Sequence, residues 1–236
     1  MKHQILELSN KLVKEALKKG FQEAAVKIYT GRSVMLKIAN SEISIVQHWN
    51  INSVGIYLTK NEKIIVIESE PSRIEDVVKI LENTTLIADK IAKSEVYQPL
   101  PEPSKVEPLE DLVDRKIIEL MDSPEAIAER ILEVAHREKI DSIAGMIRLS
   151  YGGKSLVTSK DVELFEEKTS IDGYIRCFSD SGSGQWGLGL THYDVGKIEE
   201  TTLTAARLAL ESKNPYPAEP GVYDVILSPM VVGNLL

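Results

Sequence analysis

The sequence predicts an α+β fold of two helix–antiparallel sheet–helix lobes related by an internal duplication. Three observations carry this. Apolar residues repeat at helical spacing, then alternate with period two through several short runs, then return to helical spacing. The same order recurs after a proline-rich stretch. Finally, Ala39-Asn40-Ser41-Glu42-Ile43-Ser44-Ile45 aligns with Thr158-Ser159-Lys160-Asp161-Val162-Glu163-Leu164 at an offset of 119, and Gly55-Ile56-Tyr57-Leu58 falls on Tyr174-Ile175-Arg176-Cys177 at that offset. Two copies with so long a period make two similar lobes rather than a solenoid.

The first helix is predicted over about Lys2–Lys19, where Ile5, Leu8, Leu12 and Ala16 share a face. Lys18 and Lys19 suit the negative end of the helix dipole, and Gly20 can take the left-handed closing conformation. Alternation then sets in at Ala24/Val26/Ile28, Val34/Leu36/Ile38, Ile43/Ile45, Val54/Ile56/Leu58 and Ile64 to Ile67. Gly31-Arg32, Asn40-Ser41 and Asn61-Glu62 are predicted as turns. Ser72-x-x-Glu75 reads as a capping box in front of the stripe Ile74, Val77, Val78 and Leu81.

Between Tyr97 and Pro108 stand Pro99, Pro101, Pro103 and Pro108, each lacking an amide donor and restricting the residue before it. The stretch is extended, either as a linker or as a loop wrapped over one domain. Beyond it, Pro124 behind Asp122 and Ser123 opens a helix with the stripe Ile127, Ile131, Val134 and Ala135. Strands are predicted at Ile143–Leu149, Ser155–Val157, Val162–Phe165, Tyr174–Phe178 and Trp186–Leu190, and a helix over about Val195–Glu211. The predicted organisation is a first lobe over 1–95, a Pro-rich linker over 96–121, a second lobe over 122–214, and the start of a truncated C-terminal domain over 215–236.

Composition excludes several classes. No apolar run approaches the ~20 residues of a membrane-spanning helix, and Met1-Lys2-His3-Gln4 is not followed by a signal-peptide core. These point to a cytoplasmic protein with no membrane partner. Net charge is −8 with Lys and Arg dispersed, which disfavours nucleic acid. The single cysteine, Cys177, excludes an internal disulfide and reads as a small buried apolar residue.

Motifs that carry chemistry elsewhere fail here on context. Gly182-Ser-Gly184-Gln-Trp-Gly187 has dinucleotide-loop spacing, but Trp186 to Leu190 continues as strand where that loop must open a helix, so a glycine-rich hairpin connection is expected. Gly152-Gly153-Lys154-Ser155 resembles the end of a P-loop, but Arg148 stands where the first glycine is required. His3, His48, His136 and His192 lie far apart, with no two on one helix face. The pairs Glu68/Glu70, Glu166/Glu167 and Glu199/Glu200 are what 36 acidic residues produce by chance. Ser179-Asp180-Ser181-Gly182-Ser183-Gly184 reads as a flexible hairpin tip with no activated nucleophile. No catalytic, cofactor-binding or metal-binding residue is assigned.

The tail is the most informative stretch. Pro220-Gly221 reads as a turn, Val222–Leu227 as a strand, and Ser228-Pro229 as the cap of an apolar helix through Met230, Val231, Val232, Leu235 and Leu236. Such a helix, ending within two turns, reads as cut short, or else as a short helix tucked into the core. Pro220 to Leu236 resembles the segment where TldD/PmbA family proteins enter their C-terminal domain. Ile51-Asn-Ser-Val-Gly-Ile-Tyr-Leu58 and Ser159-Lys-Asp-Val-Glu-Leu-Phe-Glu-Glu167 resemble earlier regions of the same family. The resemblance runs along the whole chain and implies the N-terminal half of a metallopeptidase-related protein. In TldD-type members, zinc is held by His-Glu-x-x-x-His beyond the position matching Leu236, with a later cysteine, and PmbA-type members lack that motif. The tail is similar to the PmbA side. The resemblance therefore implies no cofactor in this chain, zinc only in a full-length TldD-type relative or partner, pairing as a homodimer or as a heterodimer with a TldD-type subunit, and peptide or unfolded protein as substrate. A free-standing binding or assembly module is the alternative.

Overall fold

The structure, a computed structural model, describes residues 1–71 and 76–235. The predicted capping box Ser72/Glu75, with Ile74, lies outside the described residues, as does Leu236. The chain runs α1 (Lys2–Lys18), β1 (Glu23–Ala39), β2 (Glu42–Lys60), β3 (Lys63–Ser69), α2 (Val77–Ala88), α3 (Arg115–Leu120), α4 (Glu125–Arg137), β4 (Ser142–Thr158), β5 (Glu163–Ser179), β6 (Gly182–Leu190), α5 (Val195–Glu211) and α6 (Pro229–Leu235). The strands form one six-stranded sheet in the order β3-β2-β1-β4-β5-β6. The α+β class with an antiparallel sheet is as the sequence predicted.

The hairpins close as predicted. Asn40 (φ 51°) and Ser41 (φ 62°) join β1 to β2, and Asn61 (φ 52°) and Glu62 (φ 63°) join β2 to β3. Positive φ at both turn residues matches the right-handed twist of the flanking strands, and short polar side chains such as Asn tolerate it. β3 then pairs antiparallel with β2 from Lys60↔Lys63 to Val54↔Ser69.

Predicted breaks are absent at Gly31-Arg32, within β4, and within β5, which runs unbroken over Glu163–Ser179 where two strands were expected. Gly31-Arg32 is not a turn, because β1 runs through it. A side chain at Gly31 would lie 2.7 Å from the carbonyl oxygen of Tyr151 and 2.9 Å from the Cα of Gly152, so this glycine serves close strand approach. Likewise β4 is one strand through Gly152 and Gly153, where two were expected.

The bounds of the second set of elements follow the first at the predicted offset. Ser142 and Thr158 lie 119 residues after Glu23 and Ala39, and Arg137 lies 119 after Lys18. The helix ends match in detail. Gly20 N–H donates to Leu17 O and Phe21 N–H to Ala16 O; 119 residues on, Lys139 N–H donates to His136 O and Ile140 N–H to Ala135 O. Both closing residues are left-handed, Gly20 at φ 88° and Lys139 at φ 56°.

The chain divides into two compact units, and each draws on both halves of the sequence. One comprises Met1–Ser33, Trp49–Val113 and Tyr151–Lys168; the other comprises Val34–His48, Asp114–Ser150 and Thr169–Leu236. In the first, Ile5, Leu12, Val13 and Ala16 of α1 are buried with Val26 and Ile28 of β1, Ile56 and Leu58 of β2, and Val77 and Leu81 of α2. Each of the Val, Leu and Ile side chains contributes ~1.5–3 kcal/mol on burial. Within that core Ser9 Oγ donates to Ile5 O at 2.8 Å and meets Ser155 Oγ at 2.8 Å, so both hydroxyls are satisfied away from water.

The proline-rich stretch carries no regular structure, but its first part is tied to the first unit. Tyr97 Oη and Leu100 N–H donate to the Glu23 carboxylate at 3.2 and 3.0 Å, and Lys160 pairs with Glu102 at 2.8 Å.

In the second unit the buried residues include Ile117, Leu120 and Met121, then Ile127, Ile131 and Val134 of α4, Ile143, Ile147 and Leu149 of β4, and Ile198 and the small residues Ala205, Ala206 and Ala209 of α5. The helix α3 escaped the sequence reading, since six residues are too few to show a period; its start is marked by Asp114, whose carboxylate accepts from Lys116 N–H at 2.7 Å.

Val222–Leu227 is not a strand. Val222, Val225 and Ile226 are exposed, because alternation forms a strand only beside another strand, and no described strand runs next to it. The short helix α6 does follow Ser228, which accepts from Val232 N–H through its carbonyl at 3.0 Å.

Candidate functional site

The second unit carries a groove of about 570 Å3. Ser170 and Asp172 of β5, Thr191, His192 and Asp194 after β6, and Lys197 of α5 line it. Its wall at 191–194 is held from below. Asp114 N–H donates to Thr169 Oγ at 2.9 Å, Thr169 Oγ donates to Thr191 O at 2.9 Å, and the second Asp114 oxygen accepts from Tyr193 N–H at 2.7 Å. Thr169 is fully buried, so this chain of bonds is shielded from water and fixes the loop. Asp114 and Thr169 were not singled out from the sequence. Asp114 had a signal, an acidic residue just before the short apolar pattern Ile117/Ile118/Leu120; Thr169 had none.

The acids of this groove are committed to structure. Asp172 accepts from Arg148 Nε and Nη2 at 3.2 and 2.7 Å, a two-point pairing. Asp194 caps α5 by accepting from Lys197 N–H at 3.1 Å, and Lys197 Nζ pairs with Glu200 at 2.7 Å. His192 Nδ1 lies 3.2 Å from Thr191 Oγ. The groove can present hydrogen-bonding groups to an extended or small ligand.

A second groove, of about 560 Å3, follows the exposed face of α1 past His3, Asn10 and Lys14 to Glu163, where Asn10 Nδ2 donates to Glu163 at 2.8 Å.

The residues weighed from sequence stay apart. His3 lies on α1, His48 is exposed on β2, His136 is exposed in the last turn of α4, and His192 follows β6. Among the described residues no three His, Cys, Asp or Glu side chains converge as a metal site. The described residues do not bring together a zinc set of the TldD type. The acidic pairs are salt-bridged or solvated. Glu167 accepts from Tyr151 Oη, Glu199 pairs with Arg130 Nη2 at 2.6 Å, Glu200 pairs with Lys197, and Glu68 and Glu70 are exposed.

The Gly182–Gly187 run is not a hairpin connection either. The turn is Asp180-Ser181 alone, and Gly182 already belongs to β6, which pairs with β5 from Ser179↔Gly182 to Ile171↔Leu190. A side chain at Gly184 would lie 2.4 Å from both Ala205 O and Ala209 N, so the glycines let α5 lie directly on the strand. Cys177 is fully buried beside them in β5, as expected, and burial pushes its thiol up to about 11.

No family model and no curated protein matches the sequence. Solved structures match the fold. A protein named as a modulator of DNA gyrase from Bacteroides thetaiotaomicron superposes with a TM-score of 0.71 at 16% identity, covering 86% of this chain and 49% of its own. TldE from Thermococcus kodakarensis gives 0.63 at 17%, covering 84% and 46%. This chain has the fold of the TldE and gyrase-modulator structures. A second gyrase-modulator protein, from Thermotoga maritima, agrees at 0.66 and 16%, covering 86% and 47%. The chain spans about half the length of the solved structures it matches. The sequence resemblance to TldD/PmbA proteins is thus borne out in the TldE-like fold. Among the described residues no helix is long and apolar enough to cross a membrane.

Proposed function

We propose that this chain is the N-terminal region of a TldD/PmbA-like, metallopeptidase-related protein, and that it shapes peptide access and subunit pairing for a proteolytic chamber. The observation that carries this reading is the TldE-like fold over 84–86% of the chain against about half of each matched structure. The equal spacing of element bounds supports an internal duplication as the origin of the scaffold. The cleaving chemistry, zinc-bound water acting on a peptide carbonyl, belongs in this reading to polypeptide other than the residues present, in a longer relative or in a TldD-type partner. This chain's own part is to bind and orient. The groove beside His192 offers Ser170, Thr191 and Lys197 to a peptide backbone. Its place is the cytoplasm, with peptide or unfolded protein as substrate.

The alternative, a free-standing binding or assembly module, is favoured by the same committed acids, which fix the groove's walls and leave it able to hold a ligand. Titration with a purified TldD-type subunit separates the two. Saturable binding that changes the partner's peptide cleavage supports the first reading. Binding with no change in cleavage supports the module, and no binding removes the heterodimer from the proposal.

A further inference from the structure

The edge of β2 is open where it leaves its first hairpin. β3 covers β2 only from Val54 onward, and β1 lies on the other side, so Glu42–His48 has no strand against its outer edge among the described residues. Every residue of this segment except Val46 is exposed, including Ile43 at 36% and Ile45 at 43%. The two-residue turn at Asn40-Ser41 pairs Glu42 with Ala39, which directs the N–H and C=O groups of Ile43, Ile45 and Gln47 outward. Exposed edges are normally blunted by proline, lysine or a dense run of charge. Glu42-Ile-Ser-Ile-Val-Gln-His48 has none of these. The segment 119 residues later, Asp161-Val-Glu-Leu-Phe-Glu-Glu167, carries four carboxylates. Paired with itself, that later segment would set Asp161 against Glu167.

We propose that Glu42–His48 is a pairing edge, to which a second copy of this chain adds antiparallel through the same residues, with Ile45 on the two-fold axis. In this register Ile45 faces the second copy's Ile45, Ile43 faces Gln47, and Ser44 faces Val46. Glu42 meets His48, in a non-hydrogen-bonded pair where side chains come closest. No like charges are opposed, and the outward groups of Ile43, Ile45 and Gln47 find partners. One strand pair is smaller than the ~1,000 Å2 of a tight interface, so the dimer is weak and is read at high protein concentration.

The proposal deepens the pairing part of the function above. Sedimentation equilibrium of the full chain over a wide concentration range tests it. Wild type is expected to show a monomer–dimer equilibrium. Ile45→Lys, at a position already exposed, sets two ammonium groups face to face and is expected to raise the dissociation constant at least ~10-fold, with the circular dichroism spectrum unchanged. Glu42→Lys is expected to weaken the dimer, and Glu42→Lys with His48→Glu to restore it. A dimer that none of these variants alters overturns the edge assignment and leaves subunit pairing standing on another surface. A chain that stays monomeric throughout also overturns it, and pairing with a TldD-type subunit is then decided by the titration described above.

Discussion

Glu23 takes hydrogen bonds from Thr59 Oγ at 3.3 Å, Tyr97 Oη at 3.2 Å and Leu100 N–H at 3.0 Å while itself buried. A carboxylate in that position holds the start of the proline-rich stretch against the first unit. Glu23→Ala leaves three donors without their acceptor and is expected to cost ~1–3 kcal/mol. Thermal unfolding reads the loss, and faster amide exchange at Leu100 reports the released loop. The sequence offered no hint of this role, because an acidic residue at a strand start looks solvated until its partners, more than thirty residues away, are in place. Cys177 was legible, since a lone cysteine amid alternating apolar residues belongs to a core. Its thiol, raised from an ordinary 9.0 to about 11, stays protonated in the folded chain after the unfolded chain has ionised. The stability it contributes is full below pH ~9 and is lost as pH rises toward ~11. Thiol reagents at pH 8 are therefore expected to label Cys177 only after denaturant is added; rapid labelling of the folded chain would contradict its burial.

At the level of elements, turns and caps were the most readable features, because local residues decide them. Asn40-Ser41 and Asn61-Glu62 turned as predicted, and Gly20 closed α1. Long-range approach was not readable. Gly31, Gly152 and Gly184 look like loop signals in one dimension and turn out to make room for neighbouring backbone. Gly184→Ala forces a methyl to within 2.4 Å of α5 and is expected to destabilise by ~1–3 kcal/mol or more, seen as a lowered Tm. The paired helix ends give the opposite kind of test. Lys139 holds the left-handed position that Gly20 holds 119 residues earlier, at a steric cost glycine does not incur. Lys139→Gly is expected to stabilise by ~0.5–1 kcal/mol, in spite of glycine's freer unfolded chain. A fall in Tm would mean that the lysine side chain contributes something the backbone comparison omits.

For the whole molecule, the α+β class and the repeat spacing came through in the sequence, because both rest on periodicity. The grouping into units did not, since β1, β2, β4 and β5 each contribute to both, and nothing in a linear pattern marks where one long strand passes from one unit to the next. Val222–Leu227 shows the same limit from the other side, an alternating pattern with no strand beside it. The candidate groove was invisible for a related reason. Its walls come from β5, the 191–194 loop and α5, and the bonds that fix them run through Asp114 and Thr169. The proposed division of labour, with binding and pairing here and metal chemistry elsewhere, is tested most directly by measuring zinc content and peptide hydrolysis of the purified chain, alone and with a TldD-type subunit. The account predicts no stoichiometric zinc and no turnover by the chain alone, with both present once the partner is added. One tightly held zinc per chain, with peptide cleavage in the partner's absence, would contradict it.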